Sequence, residues 1–267
     1  MVKILACLVV TMTGAIAAPL PSITVPEAKL APLLTAKPDD PAWKSGTPVV
    51  LTQASIGTPT ALLSSPPPKT EVRLLWDASD LYVRFTCAEV TAPYFPPATS
   101  PDAPHIYAGD AVEFFLDPVG DSRQWFEFQF NARNDRFAQI TVCTAEPKWD
   151  ASQRLLSDFI ARDLWAYPMP NPEQVRSAAA WLPEAKAWIV DIALPAATVL
   201  KRTGLKKFAP MQLRGNLIRY EWLEPSPGAK RELLSLNWSP TPRYVPHRCP
   251  TAFGFIKLTG VASSSAP

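Results

Sequence analysis

The chain lacks most of what enzymes are commonly built from. Its 267 residues include two histidines, His105 and His247, which excludes a multi-histidine metal centre. It has no G-x-S-x-G, H-E-x-x-H or phosphate-loop pattern, so the usual signatures of serine hydrolases, zinc proteases and nucleotide-dependent enzymes are missing. Four cysteines contain no C-x-x-C spacing, which argues against a zinc site or a dithiol redox motif. A net charge of +2 gives no reason to expect nucleic acid or an anionic membrane as partner. No apolar run reaches the ~20 residues needed to span a bilayer.

Proline is abundant, with 31 residues against an average usage of roughly 5%. That favours many short elements joined by stiff loops over long helices. Hydrophobic residues make up 47% of the chain, enough for an ordinary globular core. The length fits one large all-β domain or two small ones.

The first 18 residues carry one lysine, an apolar run from Ile4 to Ile16, and small residues at Ala15 and Ala17. This is the pattern of a cleavable export signal, with cleavage after Ala17 or Ala18, and it implies a secreted or periplasmic protein. Ile4-Leu5-Ala6-Cys7 only faintly matches a lipoprotein cleavage box. The mature chain keeps Cys87, Cys143 and Cys249, an odd number that leaves at least one thiol outside any intramolecular bridge. Cys87 and Cys143 both end strand-like runs, and the sequence leaves their pairing open.

The expected organisation is a signal peptide over 1–17, a proline-rich extended linker over 18–38, one domain over 39–260 and a disordered small-residue tail over 261–267. The C-terminal part of the linker is expected to lie on the domain. Trp43, just after a turn, reads as a core plug.

The domain is organised around residues 109–131, GDAVEFFLDPVGDSRQWFEFQFN. Val112, Phe114 and Leu116 alternate with Ala111, Glu113, Phe115 and Asp117. Phe126, Phe128 and Phe130 alternate with Trp125, Glu127, Gln129 and Asn131. A period of two on either side of Pro118, Gly120 and Asp121 predicts a β-hairpin. One face is phenylalanine-rich core, and the other carries Glu113, Gln129 and Asn131.

Further strands are predicted over 49–53, 71–77, 81–87, 137–143, 175–181, 188–194, 213–222, 234–238 and 253–258. A short helix is expected at 148–161, a helical turn at 195–200 and a loop at 167–172. Residues 90–108 form a long proline-rich loop ending in Tyr107, and long loops are often functional. Trp76, Phe114, Phe128, Trp188 and Phe253 are expected core. About ten strands and at most one or two short helices predict an all-β, jelly-roll-like antiparallel β-sandwich.

Three segments in order, VRLLWDASDLYVRF, then GDAVEFFLDP with WFEFQFN, then HRCPTAFGFIKL, give the domain a family likeness. Together they resemble carbohydrate-binding module family 9, within the wider DOMON-like group of β-sandwiches, across roughly residues 39–258. The resemblance implies a secreted, non-catalytic protein, expected to be monomeric, that holds a sugar on a concave sheet. Two rings would clasp the sugar while polar side chains take its hydroxyls. By motif, Tyr107 and His247 take the places of the rings, with Arg248 next to His247. Glu113, Gln129 (where relatives can have arginine), Asn131 and Asn216 take the polar places. Arg84 joins them as a cation expected on the same polar face. A Tyr and His pair offers less stacking area than two tryptophans. Relatives can also hold structural calcium, whose ligands do not map onto this sequence; no other cofactor is expected.

Blander readings fit the same residues. Glu113, Gln129 and Asn131 also fit a solvated strand face, with Arg84 and Glu113 as a surface ion pair worth only ~0–1 kcal/mol. Glu113 and Glu127 on adjacent strands have the look of a glycosidase pair, but acid pairs on strands are commonplace. Haem ligation by Met169, Met211, His105 or His247 is a further class, because some DOMON relatives bind haem. A cell-envelope interaction domain with an eroded sugar site is the main competitor.

Overall fold

The computed structural model describes residues 19–63, 66–89, 91–96, 106–144, 164–224, 228–241 and 246–260. The expected export signal, the 148–161 helix, His105 and the tail over 261–267 lie outside the described residues.

Fourteen strands in chain order are β1 (Ser22–Pro26), β2 (Pro48–Val50), β3 (Gln53–Ala54), β4 (Thr70–Trp76), β5 (Asp80–Ala88), β6 (Ala111–Asp117), β7 (Gln124–Phe130), β8 (Arg136–Cys143), β9 (Leu164–Pro168), β10 (Arg176–Leu182), β11 (Ala187–Pro195), β12 (Met211–Leu223), β13 (Glu232–Asn237) and β14 (Gly254–Thr259). They form two sheets. The larger runs β1-β14-β12-β6-β7-β8-β9, with β13 paired to β12 and to β3. The smaller runs β10-β11-β5-β4-β2. The one α-helix among the described residues is Ala196–Val199, and no described helix is long and apolar enough to cross a membrane. The all-β sandwich expected from the sequence is the observed fold.

The organising hairpin forms as its alternation predicts, with Val112 opposite Phe130, Glu113 opposite Gln129 and Phe114 opposite Phe128. Val112, Phe114, Leu116, Phe126, Phe128 and Phe130 face inward and meet Val83, Phe85, Trp188 and Val190 of the smaller sheet. Trp76 seals one end of this core by donating its indole N–H to the carbonyls of Val25 and Thr259, both at 3.1 Å. Trp76, Phe114, Phe128, Trp188 and Phe253 are all buried, as expected.

Three features depart from expectation. Part of the segment read as a linker is a strand: β1 pairs in parallel with β14, Ser22 opposite Phe255. Its flanking prolines and short length hide the strand pattern, and its partner is more than 200 residues away. Second, Tyr167 and Pro168 belong to the edge strand β9, not to a loop. Third, the outward face of the large sheet is not a solvated face. Phe115, Trp125 and Phe253 form a second apolar cluster there, with Phe253 5.7 Å from Phe115 and edge-on to Trp125 at 6.4 Å.

The cysteine pairing left open by the sequence is settled by the topology. Cys87 lies in the inter-sheet core while Cys143 belongs to the cluster on the outward face, so the two do not form a bridge.

Candidate functional site

Residues directly opposite in an antiparallel pair project to the same side. Ile218 of β12 faces Glu113 of β6, Glu113 faces Gln129 of β7, and Glu127 faces Gln139 of β8. Tyr220, two residues beyond Ile218, shares that side. Four neighbouring strands thus place Tyr220, Glu113, Gln129, Glu127 and Gln139 on the outward face of the large sheet.

These side chains form one network. The Tyr220 hydroxyl donates to Glu113 Oε2 at 2.7 Å. Gln129 Nε2 donates to Glu113 Oε1 and to Glu127 Oε1, both at 2.7 Å. Gln139 Nε2 donates to Glu127 Oε2, also at 2.7 Å. An ionised carboxylate can accept about four hydrogen bonds, and each glutamate here accepts two, which leaves acceptor capacity for a ligand hydroxyl.

Both glutamates are almost fully buried, Glu113 at 2% exposure and Glu127 at 4%. Burial holds the Glu113 carboxyl well above its ordinary range, and the charge of Glu127 raises it further. Burial likewise raises Glu127. The Tyr220 phenol is pushed well up by burial and by the Glu113 carboxylate beside it. The expectation that Glu113 occupies an exposed strand position is therefore corrected: its carboxyl is buried, with Tyr220 and Gln129 bonded to it.

Two indoles on the face hold the flanking loops. Trp222 Nε1 donates to the Tyr107 carbonyl and Trp125 Nε1 to the His247 carbonyl, both at 3.0 Å. Tyr107 keeps 46% of its surface exposed. His247 is half-buried, and burial together with the neighbouring Arg248 charge lowers its pKa to about 4. The imidazole is therefore neutral at neutral pH and presents a ring without charge.

The other expected residues sit elsewhere. Arg84 is on the opposite side of the molecule, on the outward face of the smaller sheet. It binds Asp191 through Nε at 2.6 Å and Nη2 at 2.9 Å and stacks on Trp43 at 4.8 Å. Alternation along β5 gave its face correctly but not its sheet, so it neither pairs with Glu113 nor joins a shared face. Trp43 is buried as expected, though as a cover for Arg84 outside the inter-sheet core.

Asn131 lies just past the end of β7, where its Oδ1 accepts from the backbone of Arg133 and Asp135 and its Nδ2 donates to Asp135. It closes the β7–β8 turn. Asn216 is fully buried, donating to the Ser239 carbonyl at 3.0 Å and accepting from Ser239 and Leu217. In both cases a short amide binds nearby backbone, and neither residue enters the network. Arg248 follows His247 in the same half-buried turn.

The sequence reading missed Tyr220, Gln139, Trp125 and Trp222 as site residues, and used Glu127 only to weigh catalysis. Their signal was present, because strand alternation alone places Tyr220 and Trp222 on the side of Asn216, and Gln139 opposite Glu127.

Among the described residues, neither a calcium nor a haem site is supported. Glu89, Asp110 and Glu221 bring carboxylate oxygens within 4.8 Å of one another. However, Glu89 and Glu221 pair with the buried Arg219 guanidinium, and Asp110 accepts backbone N–H groups from Tyr94 and Trp222. A divalent cation would face that guanidinium, so this group does not fit calcium. Met169 and Met211 pack in the inter-sheet core, whereas His247 is on the outward face, so those candidate haem ligands do not converge.

Residues 36–157 match the family described as carbohydrate family 9 binding domain-like. The fold is similar to a family 9 carbohydrate-binding module from Caldicellulosiruptor kristjanssonii, solved in complex with cellotriose, at 15% identity and a TM-score of 0.59, covering 92% of this chain and 98% of that one. The same module solved with glucose matches at 15% identity and 0.59, covering 92% and 100%. A putative carbohydrate-binding protein from Bacteroides uniformis matches at 14% identity and a TM-score of 0.64, covering 90% and 100%. No curated protein matches the sequence. Residues 36–157 are thus similar to the family 9 binding domain, and the likeness in fold runs well beyond the matched segment.

Proposed function

We propose that the chain is an exported, non-catalytic protein that binds carbohydrate on the outward face of its nine-stranded sheet. The observation that carries this reading is the network from Tyr220 through Glu113, Gln129 and Glu127 to Gln139, flanked by loops that two indoles hold in place. Sugars are held by stacking on their apolar C–H faces and by a dense set of hydrogen bonds to their hydroxyls. Tyr107 and His247 supply neutral rings, and the two glutamates supply acceptors with lone pairs to spare, which bond more strongly once ionised. The sugars bound by the structurally similar modules support the same class of ligand.

The position of Gln129 favours binding over hydrolysis. A glycosidase needs its two carboxyl groups on either side of a bond to be cleaved. Here both carboxylates are engaged by one amide nitrogen, at 2.7 Å each.

The test is a glycan array on the mature protein, followed by calorimetric titration of parent and Glu113→Ala with the best glycan. The variant should lose ~1.5–3 kcal/mol of binding, the usual worth of a hydrogen bond to a charged group. It should also lose ~1–3 kcal/mol of stability, because Tyr220 and Gln129 are left without their acceptor. Equal affinities in two folded proteins would move the site off this face.

A second reading, an envelope interaction domain, draws on the edge strand β9, where Trp165 is 70% exposed and Tyr167 lies exposed on the same side. An array without hits would put that reading first.

A further inference from the structure

Among the described residues, the buried carboxylates differ in what neutralises them. Asp191 has Arg84, Asp80 has Arg176, and Glu89 and Glu221 share Arg219. Asp110 and Asp117 each accept two backbone N–H groups and feel a nearby arginine. Glu113 and Glu127 have neither aid. Their donors are two carboxamides and a phenol, and no described cation acts on either of them.

Buried charge is normally paired, because an isolated ion loses far more on leaving water than amide dipoles return. A second, independent observation lies beside the pair. Two residues along β8 from Gln139, on the same side, the Thr141 hydroxyl is buried at 1% exposure with no hydrogen-bond partner. The face therefore combines two carboxyl groups without a counter-ion, whose ionised form an arriving cation would favour, with an unpartnered hydroxyl and an exposed Tyr107 ring.

Building on the carbohydrate-binding reading above, we infer that the preferred ligand is a sugar bearing a protonated amino group, with the ammonium set against Glu113 and Glu127. An ammonium carries three donors and no acceptor. It supplies the positive charge that Arg84 gives Asp191, and it fits the remaining lone pairs of both glutamates. An N-acetylated sugar replaces that charge with a neutral amide, and a plain sugar offers only hydroxyls.

The experiment is calorimetric titration of the mature protein near neutral pH with three matched trisaccharides: cellotriose, the glucosamine trimer and its fully N-acetylated form. The amine-bearing trimer should bind roughly 10–100-fold more tightly than the other two, the factor expected of a hydrogen bond to a charged group. Gln129→Arg, which places a guanidinium between the carboxylates, and Glu127→Gln, which removes one of them, should each erase that preference. The second variant serves if the first fails to fold.

Parent affinity for cellotriose or the N-acetylated trimer equal to or above that for the amine would overturn this inference and leave the carbohydrate-binding reading intact. An amine preference that survives in folded Glu127→Gln would also overturn it, since the charge would then come from elsewhere. Failure of the folded parent to bind any of the three would overturn this inference, and only an array without hits would overturn the carbohydrate-binding reading as well.

Discussion

Asp191 and the Glu113–Glu127 pair are the same kind of group in the same kind of place. Each lies on the outward face of a sheet and each is almost wholly buried. They differ in their partners. Asp191 receives a two-point guanidinium from Arg84 and backbone N–H groups from Thr35 and Ala36 at 3.2 and 2.8 Å. The glutamates receive only neutral donors. The first arrangement is complete, so it works as a clasp that ties the N-terminal segment to the small sheet. The second has bonding capacity left over. Burial alone does not mark a functional carboxylate; burial without compensation does.

The largest expected effect comes from breaking the complete side of this comparison. Arg84→Ala would leave Asp191 buried and uncompensated, which typically costs 3–5 kcal/mol. Denaturant melts of parent and variant would measure it. The double change Arg84→Met with Asp191→Leu should recover only part of the loss, because the Thr35 and Ala36 N–H groups would still lack an acceptor, at ~1–3 kcal/mol. Affinity for sugar by the folded fraction should not move. A folded Arg84→Ala protein with parent stability would show that the clasp is ornamental.

The incomplete side should reveal itself through pH. A carboxyl whose folded-state pKa is raised holds its proton longer in the folded than in the unfolded chain. Where the folded state binds more protons, stability falls as pH rises. For Glu113 and Glu127, burial sets the direction, with their mutual charge adding to Glu113. Their contribution is therefore fully present below the ordinary glutamate value of about 4.3 and declines as pH climbs through the raised folded values. Glu127→Gln removes one of these titrations and relieves the other. Its stability should fall less steeply with rising pH than that of the parent, as read from melts at several pH values. An unchanged slope would mean the pair is compensated after all.

Much of the fold was legible because period-two alternation is local. It set the hairpin register, the inward phenylalanines and most of the strands. Of the residues expected to address a ligand from the sheet, alternation brought only Glu113 and Gln129 into one network. Arg84 was misplaced because a strand pattern tells which face a residue takes within its own sheet, not which sheet it belongs to. Asn131 and Asn216 fit a ligand-facing pattern equally well, but short amides readily capture nearby backbone. Two readings required knowledge of tertiary pairing: β1, whose partner β14 lies at the other end of the chain, and the second apolar layer. Phe115 and Trp125 sit at positions that alternation reads as solvent-facing, and they become core only once Phe253 is brought over them.

The smallest effect, and the sharpest on the site, concerns Tyr107. Its loop is held through the backbone carbonyl, which accepts from Trp222 at 3.0 Å; a side-chain substitution leaves that bond in place. Nearly half of the residue's surface is exposed. Tyr107→Ala should therefore change stability by no more than about 0.5 kcal/mol, as exposed substitutions usually do. If the ring stacks on the ligand, the variant should still lose ~0.5–1.5 kcal/mol of affinity, the scale of an aromatic packing contact. Tyr107→Phe should keep most of that affinity, since it keeps the ring and gives up only the hydroxyl. Titration of the three proteins with one glycan separates the contributions. A loss in Tyr107→Phe as large as in Tyr107→Ala would assign the contact to the hydroxyl. No loss in either would remove the Tyr107 ring from the binding face.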